Sequence, residues 1–161
     1  PIPEPVITGQ ATRVMSLKDG TKKMSKSDPS DFSRINMTDE EDTIRKKISK
    51  AKTDSFPFPE SSEDLEKRPE INNLINIFMS IEETTLDEVI KNYAQKDFKK
   101  FKDDLAECLV SKFSKISNEM RKLLSDTNYL DSILQEGSNN ADDVATRNIK
   151  EIKKIIGFHK S

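Results

Sequence analysis

Apolar residues recur along much of this chain at steps of three and four, the spacing that lines one face of an α-helix. The longest run is Phe98, Phe101, Leu105, Leu109, Phe113, Ile116, Met120 and Leu123, which predicts one helix over 97–125. Ile71, Leu74, Ile75 and Phe78 predict a helix over 70–81. Leu86, Val89, Ile90 and Tyr93 predict a short one behind the capping box Thr85-Leu86-Asp87-Glu88. Earlier, Ile44, Ile48 and Ala51 form a narrow stripe behind a second box, Thr38-Asp39-Glu40-Glu41. Arg45, Lys46, Lys47, Lys50 and Lys52 lie towards the negative end of that helix. Near the end, Tyr129, Ile133 and Leu134 read as a short helix that Gly137 closes as a left-handed cap. A last helix over 141–156 opens on Asp142 and Asp143, turns Val144, Ala145, Ile149, Ile152 and Ile156 inward, and is followed by Gly157.

The first third follows no such period. Pro1, Pro3 and Pro5 keep the start extended. Val14-Met15-Ser16-Leu17 reads as a short strand, Asp19-Gly20 as a turn, and 22–29 as a polar loop closed by Asp28-Pro29. Residues 53–69, with Pro57, Pro59 and Pro69, read as a linker. The fold expected is mainly α. An extended arm with a loop (1–37), a connecting helix and linker (38–69) and a helical bundle (70–161) follow in order. The alternating strands and helices of a nucleotide-binding α/β fold need more chain than the arm supplies.

Composition narrows the function classes. Charged residues make up 35% and hydrophobic ones 33% of the 161, so the apolar stripes must be narrow and most faces wet. A net charge of −2 gives no global basic field, and nucleic-acid contact would rest on local patches. The basic clusters 45–52, 96–102, 112–122 and 147–154 are candidates, though lysines on the wet faces of helices have the same look. The lone Cys108 excludes an internal disulfide and reads as a small core residue. His159 has no second histidine to form a metal site, and no glycine-rich phosphate loop is present. No stretch is apolar enough to span a membrane. The opening in mid-phrase at Pro1 suggests a piece of a longer protein.

The segment with chemistry in it is Thr21-Lys22-Lys23-Met24-Ser25-Lys26-Ser27-Asp28-Pro29-Ser30-Asp31. Three lysines and several hydroxyls in a short loop can meet the oxygens of a polyphosphate, with lysine as a mobile point charge. A solvated surface loop or a phosphorylation site has the same composition.

Lys23-Met24-Ser25-Lys26-Ser27 matches the second signature of class I aminoacyl-tRNA synthetases letter for letter. Its flanks, Arg13-Val14-Met15-Ser16-Leu17, the Asp28-Pro29-Ser30-Asp31 continuation, Ser33-Arg34-Ile35-Asn36 and Arg68-Pro69-Glu70-Ile71-Asn72-Asn73-Leu74, resemble bacterial-type tryptophanyl-tRNA synthetases. The resemblance is strong over about 11–80. It implies a ligase that forms tryptophanyl-adenylate and pyrophosphate from L-tryptophan and ATP, then charges tRNA(Trp). It implies catalytic roles for Lys23 and Lys26, and an ATP-binding set of Val14, Lys23, Met24, Ser25, Lys26 and Ser27. Lys26 would stabilise the departing pyrophosphate with Lys23 assisting. Ser25 and Ser27 would bond phosphate oxygens, Met24 would pack the loop and the backbone of Val14 would meet the adenine. ATP would come with magnesium as its counter-ion, with no protein-bound metal. The helical region would contact tRNA, and the parent enzyme would be a cytoplasmic homodimer. The first signature and the tryptophan pocket have no counterpart here, so the fragment is expected to be a monomer, inactive alone, with its loop mobile. The other readings are the matching part of a tyrosyl-tRNA synthetase and a helical interaction module with a lysine-rich regulatory loop.

Overall fold

The computed structural model describes residues 2–6, 12–94 and 96–158. Among them the chain is helical: α1 (Glu41–Ser49), α2 (Pro69–Glu82), α3 (Leu86–Tyr93), α4 (Phe98–Ser125) and α5 (Thr127–Ile155). Single turns of 3-10 helix add Asp31–Ser33 and Glu63–Leu65. None of these helices is long and apolar enough to cross a membrane. The chain divides into two compact units, Pro1–Asn118 and Glu119–Ser161.

The first unit holds the core. Ile44, Ile48 and Ala51 from the α1 region, Ile71, Leu74, Ile75 and Met79 from α2, Val89 and Tyr93 from α3, and Phe101, Leu105 and Leu109 from α4 are all buried together. These are the stripes that the three-and-four spacing predicts, because burial selects one side of each helix. Thr85 caps α3 as expected, accepting from the Glu88 N–H while Glu88 accepts from the Thr85 N–H. Pro69 takes the first helical position of α2, where its missing N–H costs nothing.

One expectation in this unit fails, and the linker is packed. The box at Thr38 does not cap α1: the helix begins at Glu41 after an N-cap Glu40 that makes no side-chain cap bond. Asp39 is instead drawn to the Asn36 N–H (2.9 Å) and to Lys47 Nζ (2.6 Å), a stronger, charge-assisted partner than a helix terminus. Residues 53–69 are not a free tether. Phe58 is 3% exposed and sits in an aromatic cluster, its ring centroid 5.1 Å from that of Phe101 and 5.7 Å from that of Tyr93. Arg68 ties the segment by a two-pronged pair with Asp54, both bonds at 2.8 Å, and by a bond to the Pro57 carbonyl. The prolines shape a packed loop.

The second unit comprises the last turns of α4 and all of α5. α5 runs unbroken from its cap Asp126, whose side chain accepts from the Tyr129 N–H, through Gly137 and past Asp142 and Asp143. Gly137 is therefore no left-handed cap, and the two acids lie inside a helix, away from its positive end. That left-handed role falls to Gly157 (φ 76°), where the Phe158 N–H returns to the Lys153 carbonyl at 2.9 Å. The stripe expected to face inward is exposed: Val144, Ile149 and Ile152 are each about half accessible, and no residue of α5 is buried. Helical periodicity locates an apolar face without supplying its partner.

Candidate phosphate-binding loop

Two short segments run antiparallel and carry the lysines. The Ser16 N–H donates to the Lys22 carbonyl at 2.8 Å and the Met24 N–H to the Val14 carbonyl at 3.0 Å, which makes Met15 and Lys23 bridge partners. In an antiparallel pair bonded through its flanking residues, the facing residues point their own N–H and C=O to the outer edge. At that edge the side-chain amide of Asn73, from α2, accepts from the Met15 N–H and donates to the Met15 carbonyl, both at 2.8 Å. Two residues on, the Leu17 N–H donates to the Ser33 carbonyl at 2.9 Å, and the Leu17 carbonyl accepts from the Lys52 N–H at 2.8 Å. Three separate pieces of chain thus occupy the place of a third strand. The strand expected over 14–17 is accordingly one isolated bridge, its remaining backbone groups satisfied by partners that form no ladder.

The connecting turn is closed by Asp19, which accepts from the Thr21 hydroxyl at 2.6 Å and the Thr21 N–H at 3.1 Å. Those bonds, the hydroxyl's foremost, hold its carboxyl below the usual carboxylate range. Gly20 rests on the first turn of α2 so closely that a Cβ there would lie 2.4 Å from the Pro69 carbonyl carbon. Only glycine permits that approach.

Beyond the bridge, Met24 packs partly buried against the core while Lys23, Ser25, Lys26 and Ser27 are exposed. The Ser25 and Ser27 hydroxyls lie 3.0 Å apart, and the Ser27 N–H donates to Ser25 Oγ at 3.3 Å. Lys22 pairs with Asp19 at 3.3 Å, but Lys23 and Lys26 have no carboxylate partner among the described residues. Two uncompensated cations and two hydroxyls on one short tip suit an anion with several oxygens.

The exit from the loop is braced from below. Arg34 donates to the Asp28 carbonyl at 2.9 Å and to Asn36 Oδ1 at 3.0 Å, and pairs with Asp31 at 3.1 Å. Beneath it Lys47, 1% exposed, pairs with Asp31 at 2.7 Å and with Asp39 at 2.6 Å. The bond from Lys47 is the first cause that holds the Asp31 carboxyl below the usual carboxylate range, with Asn36 second. A lysine expected on a wet helix face is thus a buried strut.

All six candidate site residues, Val14, Lys23, Met24, Ser25, Lys26 and Ser27, fall in this hairpin and tip. The basic cluster 45–52 is largely committed elsewhere. Arg45 holds Glu107 at 2.7 Å, Lys47 is buried and Lys52 pairs with Glu70 at 2.7 Å. Lys100 holds Asp104 at 2.6 Å, and Lys102 caps the end of α1 through the Ala51 carbonyl at 2.6 Å. Cys108 is buried, donates to Glu82 at 2.8 Å, and has its thiol pushed up to about 12 by burial and then by Glu82, so it is no nucleophile. His159 lies outside the described residues. Sequence reasoning missed Asn73, Arg34 and Lys47. The one signal for Asn73 was a polar residue beside the apolar positions 71, 74 and 75.

The family model for class I tRNA synthetases (W and Y) matches residues 2–116, a span that contains the whole hairpin, its braces and most of the core. The chain belongs to that family. Its similarity to tryptophan–tRNA ligases is high: 47% identity to that of Brucella melitensis over 98% of this chain and 44% of the relative. The Caulobacter vibrioides ligase is 48% identical over 98% of this chain and 46% of its own length. The chain thus spans a little under half the length of the curated relatives it matches. Among solved structures, the tryptophanyl-tRNA synthetase of Mycoplasma pneumoniae shares the fold, with a TM-score of 0.69 at 24% identity over 94% of this chain and 45% of that one. The Campylobacter jejuni enzyme is similar at a TM-score of 0.66 and 25% identity, over 91% of this chain and 44% of that one. The cationic tip lies inside the span that the family model matches.

Proposed function

We propose that the complete protein carrying this chain is a tryptophan–tRNA ligase. It joins the L-tryptophan carboxylate to the α-phosphate of ATP, releases pyrophosphate, and passes the tryptophanyl group to the terminal ribose of tRNA(Trp). The observation that carries the reading is the tip itself: Lys23 and Lys26 exposed and without carboxylate partners, beside the paired hydroxyls of Ser25 and Ser27, on a hairpin pinned to the core.

In this reading Lys26 meets charge developing on the leaving pyrophosphate, and Lys23 helps. Preorganised cations act there because the transition state has more charge on those oxygens than the bound ATP. Ser25 and Ser27 donate to the phosphates, and Met24, packed on the core, sets how the tip leans. Val14 lies opposite Met24, with its carbonyl already engaged by the Met24 N–H, so it meets the adenine through its remaining surface. Magnesium enters as the counter-ion of ATP. The arm 1–37 is the edge of a catalytic domain, 38–69 connects, and 70–161 is the helical region that reads tRNA. The intact enzyme is a cytoplasmic homodimer.

The test is tryptophan-dependent exchange of pyrophosphate into ATP by the complete protein. Exchange with tryptophan and not with tyrosine, lost by a hundredfold or so in Lys26→Ala, is the expected result. Exchange with tyrosine would favour the other branch of the family, and none with either would refute the reading. This chain by itself should give no exchange above background.

A further inference from the structure

We propose that Asn73 is a positioning residue for the signature loop, acting on Lys23 through the backbone of Met15; this deepens the function proposed above and rests on it. The geometry is specific. Asn73 is 4% exposed, on α2, and its two amide atoms bond the N–H and the carbonyl of one residue, Met15, both at 2.8 Å. Met15 is the bridge partner of Lys23. One side chain therefore fixes both the rotation of the 14–17 segment and its position along its length, as a neighbouring strand would.

The hairpin has few other means of keeping register. A two-stranded ribbon this short is marginal in water, and a slip of one residue turns every side chain to the opposite face. Such a slip would carry Lys23 from the exposed side to the core side and bring Met24 out. The Leu17 bonds to Ser33 and Lys52 hold the far end of the segment, next to the turn, while Asn73 holds the end nearest the tip. An amide suits the task because it offers a donor and an acceptor at a fixed spacing. A carboxylate supplies no donor, and a hydroxyl is too short to reach both groups.

The experiment uses the complete protein and a double-variant cycle. Asn73→Leu removes both bonds while keeping the branched shape of the side chain, and Asn73→Ser is the milder second variant should leucine impair folding. Each is combined with Lys23→Ala, and tryptophan-dependent pyrophosphate exchange is measured with tryptophan KM, ATP KM and kcat separated. The expected result is a loss in kcat of about tenfold to a hundredfold, in keeping with misplacement by about an ångström. Tryptophan KM should stay unchanged, and the loss should largely vanish in the Lys23→Ala background because the pathway is already cut. Losses that multiply independently, a tryptophan KM that rises with the fall in kcat, or full activity in both folded variants would each overturn the proposal. A wild-type protein without exchange would instead refute the ligase reading, so the two failures are distinguishable.

Discussion

Replacing Lys47 by methionine keeps most of the apolar stem and removes the charge that joins Asp31 and Asp39 under the lysine loop. Lys47 is 1% exposed, its Asp39 partner 9% and Asp31 53%. Removing one member of a buried pair strands the other, at a cost of about 3–5 kcal/mol. Here Asp31 is half in water and Asp39 still accepts from the Asn36 N–H at 2.9 Å, so the low end, about 3 kcal/mol, applies. For a chain of this size that lowers Tm by about 6–12 °C. The assay is urea unfolding followed by far-UV circular dichroism and tyrosine fluorescence, on wild type and Lys47→Met. Acidity supplies a check on the cause. Asp31 is held below its ordinary range chiefly by Lys47, so its contribution is present above the unfolded carboxylate range and disappears as the pH falls through the lowered folded value. The gap between wild type and variant should therefore narrow in acid. A loss under about 1 kcal/mol at neutral pH, or a gap that widens in acid, would refute the strut.

Three further changes probe other elements. Gly20→Ala should destabilise the first unit by about 2 kcal/mol or more, since the new methyl meets the Pro69 and Glu70 backbone at 2.4–2.5 Å; a neutral Tm would show that the turn can lift off α2. Gly137→Ala should raise helicity and stabilise α5 by about 1 kcal/mol, because nothing lies within 4 Å of the added Cβ and the helix runs through; a loss of helicity would restore the break expected there. Thr85→Ala removes the reciprocal cap of α3 and should cost about 1 kcal/mol in urea unfolding, an unchanged midpoint counting against the cap.

What the sequence disclosed and what it hid divide along a physical line. Periodicity is a local signal, so α2, α3 and the first half of α4 with their buried stripes were legible, as was the cap at Thr85, while Ile116 on the later stripe of α4 is 49% exposed. The same signal misled at the end of the chain, where an apolar stripe implied burial that α5 does not have. Thr38 stands two residues before the observed N-cap Glu40, and at Gly137 the helix runs on through glycine. Resemblance picks out the loop 23–27 in the sequence, since its tip residues are consecutive. Its supports were not legible, because Asn73 meets Met15 across 58 positions. Polar side chains on helices look alike in sequence whether they face water or clamp a backbone.

That separation of 58 positions between Met15 and Asn73 also has a meaning in time. On a ribosome adding about 5–20 residues per second, Met15 emerges about 3–12 s before the Asn73 that registers it. Until α2 is made, the nascent hairpin has no stand-in for its third strand, and its outer edge is bare. The order of synthesis leaves the cationic tip without its register until α2 is made, and a chain stalled between the two carries cations able to attract polyanions before it can orient them.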